Sequence, residues 1–491
     1  MDDLTTVDIG IPRGRSMLSW DGKRAPREHA PPASEHTERW GEAGAAPNLL
    51  FQGDNRDGIA HMLATGYRGQ VKLVYIDPPF DSGADYVRRV SLRGPGAALL
   101  REHVQYTDTW SGDSYLQFMY ERLLLLRDLL RADGALYLHC NTARSHHLRV
   151  LLDEVFGPEN FRNEIVVRRI RKNIREHRSV PRLNDGCDSV LFYANGPAHR
   201  VHPPEKEQPQ AERWHAFDAP NVRPNLEYPL FGHRPPPGRH WLRSEQEARA
   251  MIERGDLRAH ARSGRPEYRI AASTHVLRDS LWDDVTAYAF GTGYPTEKKP
   301  ELLKIILGMS SDPGDLVLDA FVGSGTTLAV AQEMGRRWIG MDTNPGAIHT
   351  AAHRLGRMIQ RRRGAQATLL DAEEAVGGFD VLRTGGESAA PAAEARVTAT
   401  RTGEGVEVRI ENFRSPSIPD HTGDWRQTVD AVLIDPDYSG GVFRPKQLDV
   451  PERRVGLVAG RYMLQAAAGK TLAVKMVDVL GNEARVTLRL P

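Results

Sequence analysis

The sequence predicts an α/β protein: a three-layer fold around a mostly parallel sheet, interrupted by an insert and followed by an all-β region. Three observations carry this expectation. Val71-Lys72-Leu73-Val74-Tyr75-Ile76 is a nearly continuous apolar run rich in β-formers, the pattern of a strand covered on both faces. A second run, Leu316-Val317-Leu318-Asp319, leads through a glycine-rich turn into a helical pattern. Around both, strand-like runs alternate with segments of three-to-four apolar spacing, the sequence form of βαβ units.

Residues 1–45 are rich in Pro, Gly, Arg and Glu without a sustained period, which predicts an extended or partly disordered N-terminal arm. The α/β region then opens with a strand over 48–52, Gly53-Asp54-Asn55 and a helix to about Leu63. The strand over 71–76 must stop where it does, because Pro78 and Pro79 cannot continue a ladder. Asp77 therefore stands at its carboxyl end, the edge where open α/β sheets bind ligands. Residues 81–112 read as a long loop holding Tyr86, Tyr106 and Trp110. A helix is expected over 114–131, from the spacing of Leu116, Met119, Leu123, Leu126 and Leu130. A strand over 135–139, a helix over 142–156 and a strand over 189–193 complete a first part, 46–196. Between the last two lies the densest basic run, residues 168–182, whose plain reading is a solvated loop or edge strand.

The pattern breaks over 197–290, read as an insert with a helical piece near 245–254. Regularity returns over 291–362, with helices over 300–309, 326–334 and up to 362 and strands over 316–319 and 338–342. Residues 363–394 read as a linker, and alternation over 395–400 and 406–410 predicts a sandwich-like β domain over 395–491.

Charge and composition narrow the function classes. Formal net charge is +1 over 491 residues, so nucleic-acid binding needs local basic patches. Two cysteines, Cys140 and Cys187, are too few for a disulfide framework or a cysteine zinc site and fit a reducing compartment. His146 and His147 lack metal-ligand partners at a useful spacing, so no metal is expected. No apolar stretch reaches the roughly 20 residues of a membrane helix, and the polar N-terminus is unlike a signal peptide, so a cytoplasmic protein is expected.

Two segments carry chemistry. Asp77-Pro78-Pro79-Phe80 suits a flat, amino-bearing ring: the carboxylate and the Pro78 carbonyl accept from an amine, and Phe80 offers a stacking face. A plain strand-closing turn is the competing reading of this tetrapeptide. In Asp319-Ala320-Phe321-Val322-Gly323-Ser324-Gly325-Thr326-Thr327 the glycines permit close backbone approach, and Asp342 after the next strand is placed for ribose hydroxyls. There is no third glycine at dinucleotide spacing and no following Lys, so a P-loop is excluded and a nucleoside without phosphates, such as S-adenosyl-L-methionine, fits better. Asp435-Pro436-Asp437-Tyr438 imitates the first segment, but Asp437 sets a like charge beside Asp435 and no glycine turn accompanies it. Gly469-Lys470-Thr471 lacks the first glycine of a Walker motif, where Leu464 stands.

These two segments, with Tyr294-Pro295-Thr296-Glu297-Lys298-Lys299-Pro300, Gly53-Asp54-Asn55 and Asn163-Glu164-Ile165, resemble the β class of amino-group DNA methyltransferases. The likeness is greatest to the modification subunits of type III restriction systems and covers roughly residues 45–360. It departs at Ala320-Phe321-Val322, where the family often has Pro-Phe-Cys or Pro-Phe-Ala. The resemblance implies a Rossmann-like S-adenosylmethionine-dependent methyltransferase, with a catalytic half over 46–196, a target-recognition insert over 197–290 and a cofactor half over 291–362. It implies that Asp77, Pro78, Pro79 and Phe80 are catalytic. Gly323 and Gly325 would line the cofactor's methionine part with Asp319 beside them, and Phe321, Ser324, Thr326 and Thr327 would also bind the cofactor. Asp342 would take the ribose, Asp54 the adenine, and Thr296 and Lys298 would close the pocket. Arg168, Arg169, Arg171, Lys172 and Arg175 would meet DNA. The implied product is N6-methyladenine, from an adenine flipped out of double-stranded DNA. Cytosine N4, an RNA amine, or a catalytically idle specificity subunit stay open, as do a homodimer and a restriction helicase–nuclease partner.

Overall fold

The computed structural model describes residues 7–8, 11, 13, 17–26, 28–42, 46–79, 84–95, 99–108, 112–169, 185–289, 297–366, 377–385, 393–418, 423–451 and 455–491. Its centre is a ten-stranded sheet. In chain order the strands are β1 (Ser34–Trp40), β2 (Asn48–Gln52), β3 (Val71–Ile76), β4 (Leu130–Asn141), β5 (Phe161–Arg168), β6 (Cys187–Ala194), β7 (Leu281–Thr286), β8 (Leu316–Asp319), β9 (Arg337–Asp342) and β10 (Phe379–Thr384). In space they run β7-β5-β6-β4-β3-β8-β9-β2-β10-β1. The block from β4 to β10 is parallel throughout, and β6 and β1 flank it antiparallel. From β3 the order runs on to β4, and from β8 it runs on to β9. The carboxyl ends of β3 and β8 thus flank a switch point, which opens a crevice.

Alternate side chains of the buried strands enter two separate cores. Val74, Ile76, Leu136, Leu138 and Leu318 join the apolar faces of α1 (Asn55–Ala64), α2 (Gly112–Leu129) and α3 (Ser145–Phe156). Leu73, Tyr75, Tyr137 and Val317 pack with α4 (Pro300–Ser310), α5 (Thr326–Glu333) and α6 (Pro345–Gln366). This is the expected three-layer arrangement, and the continuous hydrophobicity of β3 is the consequence of being covered twice.

Several expected boundaries give way. The N-terminal arm contributes β1, an edge strand held by Arg39, whose guanidinium grips Asp380 of β10 at 2.7 and 2.8 Å. The expected linker over 363–394 contains β10, and α6 runs on to Gln366. The expected loop over 81–112 carries two antiparallel strands, Ala84–Ser91 and Leu99–Asp108. β4 begins at Leu130, inside the span read as helix. β7, placed in the insert by the sequence reading, pairs parallel with β5 of the main sheet.

Residues 203–279 form a separate compact unit. Phe217, Tyr228, Leu230, Trp241, Ala248 and Leu257 make its own core, beside the helix Glu245–Glu253, which Ser244 and Glu247 cap reciprocally. The C-terminal region holds a three-stranded and a four-stranded sheet around one core, in which Val406, Val408 and Ile410 meet Val432, Val474 and Met476. Asp435 there accepts backbone N–H groups from Asp437 at 3.1 Å and Arg444 at 2.8 Å, so the imitation of the catalytic segment is a turn cap. Lys470, from the Walker-like triplet, pairs with Asp437 at 2.7 Å. No helix among the described residues is long and apolar enough to cross a membrane.

Candidate active site

Asp77 leaves β3 at the crevice, with Pro78 buried behind it. One oxygen, Oδ2, lies 2.9 Å from Lys298 Nζ. The other, Oδ1, is buried and has no hydrogen-bond partner among the described residues. Lys298 is held by a short antiparallel approach of 287–289 to 297–299, with Ala289 N–H donating to Glu297 O at 2.8 Å and Lys299 N–H to Ala287 O at 3.0 Å. This register sets Tyr288 opposite Lys298, and the ammonium sits 4.4 Å from the centre of the tyrosine ring.

Behind this pair runs a buried polar chain. Tyr288 Oη donates to Asp188 Oδ2 at 2.9 Å, and His139 Nε2 lies 3.3 Å from the same oxygen. Tyr75 Oη is 3.2 Å from His139 Nδ1. Burial, followed by the nearby Lys298, holds His139 below the usual histidine range, so the ring is neutral at neutral pH. The consistent arrangement has Tyr75 donating to Nδ1 and Nε2–H donating to Asp188. Burial raises Asp188, but the His139 hydrogen bond and the surrounding cations outweigh it and keep the carboxyl below its ordinary value.

The glycine turn lies at the next strand ends. Gly323 and Gly325 have φ of +50° and +76°, and a Cβ on Gly325 would come within 2.8 Å of Ala351 Cβ on α6. Asp342 accepts the N–H groups of Gly323 at 2.9 Å and Asn344 at 2.8 Å, which ties the turn to the end of β9. Asp319 accepts the Phe321 N–H at 2.9 Å and is pushed up to about 7, chiefly by burial, with Asp77 and Asp342 adding to the shift. Burial also raises Asp342. Arg354 of α6 joins Thr326 Oγ1 at 3.0 Å to Glu297 Oε1 at 3.1 Å. Glu297 thus reaches the glycine turn through Arg354, while its neighbour Lys298 reaches Asp77. Asp54 caps α1 and accepts from Arg122 at 2.7 Å, while Asn55 donates to Ala320 O at 2.8 Å. Phe118 and Phe321 meet alongside, with ring centres 6.1 Å apart.

A family model of N6/N4 methyltransferases, described as DNA methylase, matches residues 71–353. The chain belongs to the DNA methylase family. This methylase is 31% identical over 331 residues to the type II methyltransferase M.EcaI of Enterobacter cloacae, covering 63% of its own length and 69% of the relative's. It is 23% identical over 432 residues to the probable type III restriction-modification enzyme HindVI Mod subunit of Haemophilus influenzae, covering 71% of itself and 54% of that subunit. The crystal structure of M1.HpyAVI with SAM aligns with 62% of this methylase and 98% of that chain, at 16% identity and a TM-score of 0.35.

Among the residues singled out from the methylase sequence, Asp77, Lys298, Asp319, Gly323, Gly325 and Asp342 converge on the crevice. Lys298 pairs with Asp77, whereas the resemblance had it closing the cofactor pocket. Arg169, expected on DNA, turns inward, with Nε 3.5 Å from Asp188 and its guanidinium 5.6 Å from the Tyr288 ring. Arg168 is exposed. Phe80, Arg171, Lys172, Arg175 and Thr296 lie outside the described residues. Tyr75, His139, Asp188, Tyr288, Glu297 and Arg354 escaped the sequence reading. A histidine and an acid inside apolar strand runs were visible signals, but only the strand order brings them together.

His349 and His353, one turn apart on α6, gather with Asp430 within 4.8 Å. Arg93 Nε already donates to that carboxylate at 2.9 Å, and Lys475 acts on His353. A metal ion would meet these cations, so we read the cluster as a joint between α6 and the C-terminal region.

Proposed function

We propose that this methylase transfers the methyl group of S-adenosyl-L-methionine to the exocyclic N6 of an adenine turned out of double-stranded DNA. The observation that carries the reading is Asp77: a carboxylate at the switch-point crevice with one oxygen fixed by Lys298 and the other buried and open. An amine is a natural partner for that oxygen, because it donates to a carboxylate and has a second hydrogen for the Pro78 carbonyl.

The donor set fits the cofactor. Asp77, Asp319 and Asp342 close three neighbouring strands, a concentration of acids that disfavours phosphate and favours a cation such as a sulfonium. The glycine turn admits a ligand close to the backbone, with Asp342 beside it for ribose hydroxyls and Asp54 near the Ala320–Phe321 end for the adenine. S-adenosylmethionine supplies an electrophilic methyl group on positively charged sulfur. Asp77 and Pro78 orient the amine nitrogen, Lys298 holds Asp77 in place, and Asp77 Oδ1 is where the displaced amine proton is held. Orientation of this kind accounts for much of the barrier reduction in a group transfer between two bound partners. The separate 203–279 unit, with its own core, suits target recognition, since it can vary without disturbing the sheet.

The test is nucleoside analysis after incubation with isotope-labelled cofactor and duplex DNA, single-stranded DNA or RNA. N6-methyladenine from duplex DNA, lost in Asp77→Ala while S-adenosylhomocysteine still binds, is the expected result. Label in N4-methylcytosine would replace adenine by cytosine as the target. Label confined to RNA, or full turnover by Asp77→Ala, would reject the reading.

A further inference from the structure

Two non-glycine residues among those described have a left-handed backbone, Asn221 at φ +82° and Phe231 at φ +50°. Asparagine visits this region readily, because its short polar side chain bonds locally. A phenylalanine there is an outlier, and such outliers persist where something other than local preference maintains them. Phe231 and Gly232, the latter at φ +78°, are the central pair of a tight turn. It is closed by Leu230 N–H to His233 O at 2.8 Å and His233 N–H to Leu230 O at 3.0 Å. Two successive positive φ values define the hairpin turn that ordinarily takes Asn-Gly or Gly-Gly.

The ring does not serve the unit's core. Phe231 is 37% exposed, while Tyr228 and Leu230 just before it are buried with Trp241. The base of the turn is fixed: Trp241 Nε1 donates to Tyr228 O at 2.7 Å, and Tyr228 Oη donates to Arg243 O at 2.8 Å. The stretch 221–243 carries four arginines, Arg223, Arg234, Arg239 and Arg243, against a single acid, Glu227, and of these Arg239 is engaged by Asp218. Arg223 and Arg234 are exposed. A rigid tip that presents an aromatic ring on a stretch with exposed arginines matches a polyanion whose interior is a stack of flat rings. Guanidinium groups suit its phosphates, and apolar side chains can part its base steps.

We propose that Phe231 is a wedge that enters the base stack of the duplex DNA. The inference rests on the DNA-methyltransferase reading above and adds how the unit helps free the base. Phe231→Gly makes a decisive variant, because glycine relieves the backbone strain while deleting the ring. Each form of the full chain is mixed with S-adenosylhomocysteine and the duplex that the wild type methylates, carrying 2-aminopurine at the target position. The wild type should raise the fluorescence as the base unstacks. Phe231→Gly should melt no lower than the wild type yet lose most of that signal and about tenfold or more in kcat/KM, the scale of one lost base-stacking contact. Phe231→Trp should keep both. Wild-type fluorescence and turnover in Phe231→Gly would overturn the wedge alone and leave the ring as a contact for another protein. A wild type that methylates no duplex would remove the underlying reading, and the wedge with it.

Discussion

Asp77 and Asp319 close neighbouring strands in different surroundings, one beside Lys298 and the other buried. Asp77 has a cation on one oxygen, so loss of that cation should reveal what it does. Lys298→Met keeps the aliphatic stem and removes the charge. We expect kcat to fall by about tenfold or more, the scale of a lost charged hydrogen bond, with S-adenosylhomocysteine affinity changed less than threefold. The opposite split, affinity lost and kcat kept, would return Lys298 to the pocket-closing role implied by the resemblance. Asp319, at about 7, changes charge in the working range. A carboxyl raised by burial gives stability that is complete below its unfolded pKa near 3.9 and disappears as pH rises through 7. Asp319→Asn should therefore raise the melting temperature relative to wild type more at pH 8 than at pH 5. Because its ionised form attracts a cation, the preference for S-adenosylmethionine over uncharged-sulfur S-adenosylhomocysteine should grow several-fold from pH 6 to 8 and stay flat in Asp319→Asn. Calorimetric titration of both ligands checks this, and a flat wild-type ratio would count against a sulfonium beside Asp319.

In the proposed function, the glycine turn is the element on which cofactor binding would depend most directly. Gly325 and Gly335 both have positive φ, +76° and +74°, but only Gly325 would drive a Cβ against Ala351, at 2.8 Å. Gly325→Ala should weaken S-adenosylhomocysteine binding by about 1–3 kcal/mol, the range for overpacking and strain. Gly335→Ala should leave affinity unchanged. Equal losses would show a general stability effect and no local cofactor role. Elements of this kind were readable in advance because their signals are local: Pro78 and Pro79 end β3, and glycines mark the turn after β8. β1 and β10 were hidden for the opposite reason. Edge residues Glu35, His36, Glu38 and Arg39 are polar, and the strand forms because Arg39 finds Asp380, 341 positions away. The Lys298–Tyr288–Asp188–His139–Tyr75 chain was equally unreadable, since its members come from separate strands and a short bridge. Local pattern exposes a residue such as Asp77, whose own neighbours in sequence explain it, and misses the partners that complete its site.

The methylase core and the C-terminal region share a buried ionic joint across the length of the chain. Lys475, in the strand Thr471–Asp478, reaches Glu38 of β1 at 2.5 Å and Glu483 at 2.6 Å. Trp40 Nε1 donates to the second Glu38 oxygen at 2.8 Å. Burial opposes charge on both partners, yet Lys475 is held above its ordinary pKa and Glu38 below it, so the pair stays ionised. Glu38 therefore contributes stability above the unfolded glutamate pKa near 4.3 that is lost as pH falls through its lower folded value. Breaking one side of such a pair strands a buried charge, whereas replacing both sides need not. Lys475→Met should cost about 3–5 kcal/mol of unfolding free energy at pH 7, and Glu38→Leu combined with Lys475→Met should recover most of it. Denaturant unfolding of the single and double variants checks the prediction. The C-terminal region would then be an integral support of the sheet edge, because β1 lies beside β10 and β10 beside β2, the strand that leads to Asp54. Single-variant losses below about 1 kcal/mol, the scale of a surface pair, would instead mean that the joint is solvated and the C-terminal region an independent attachment.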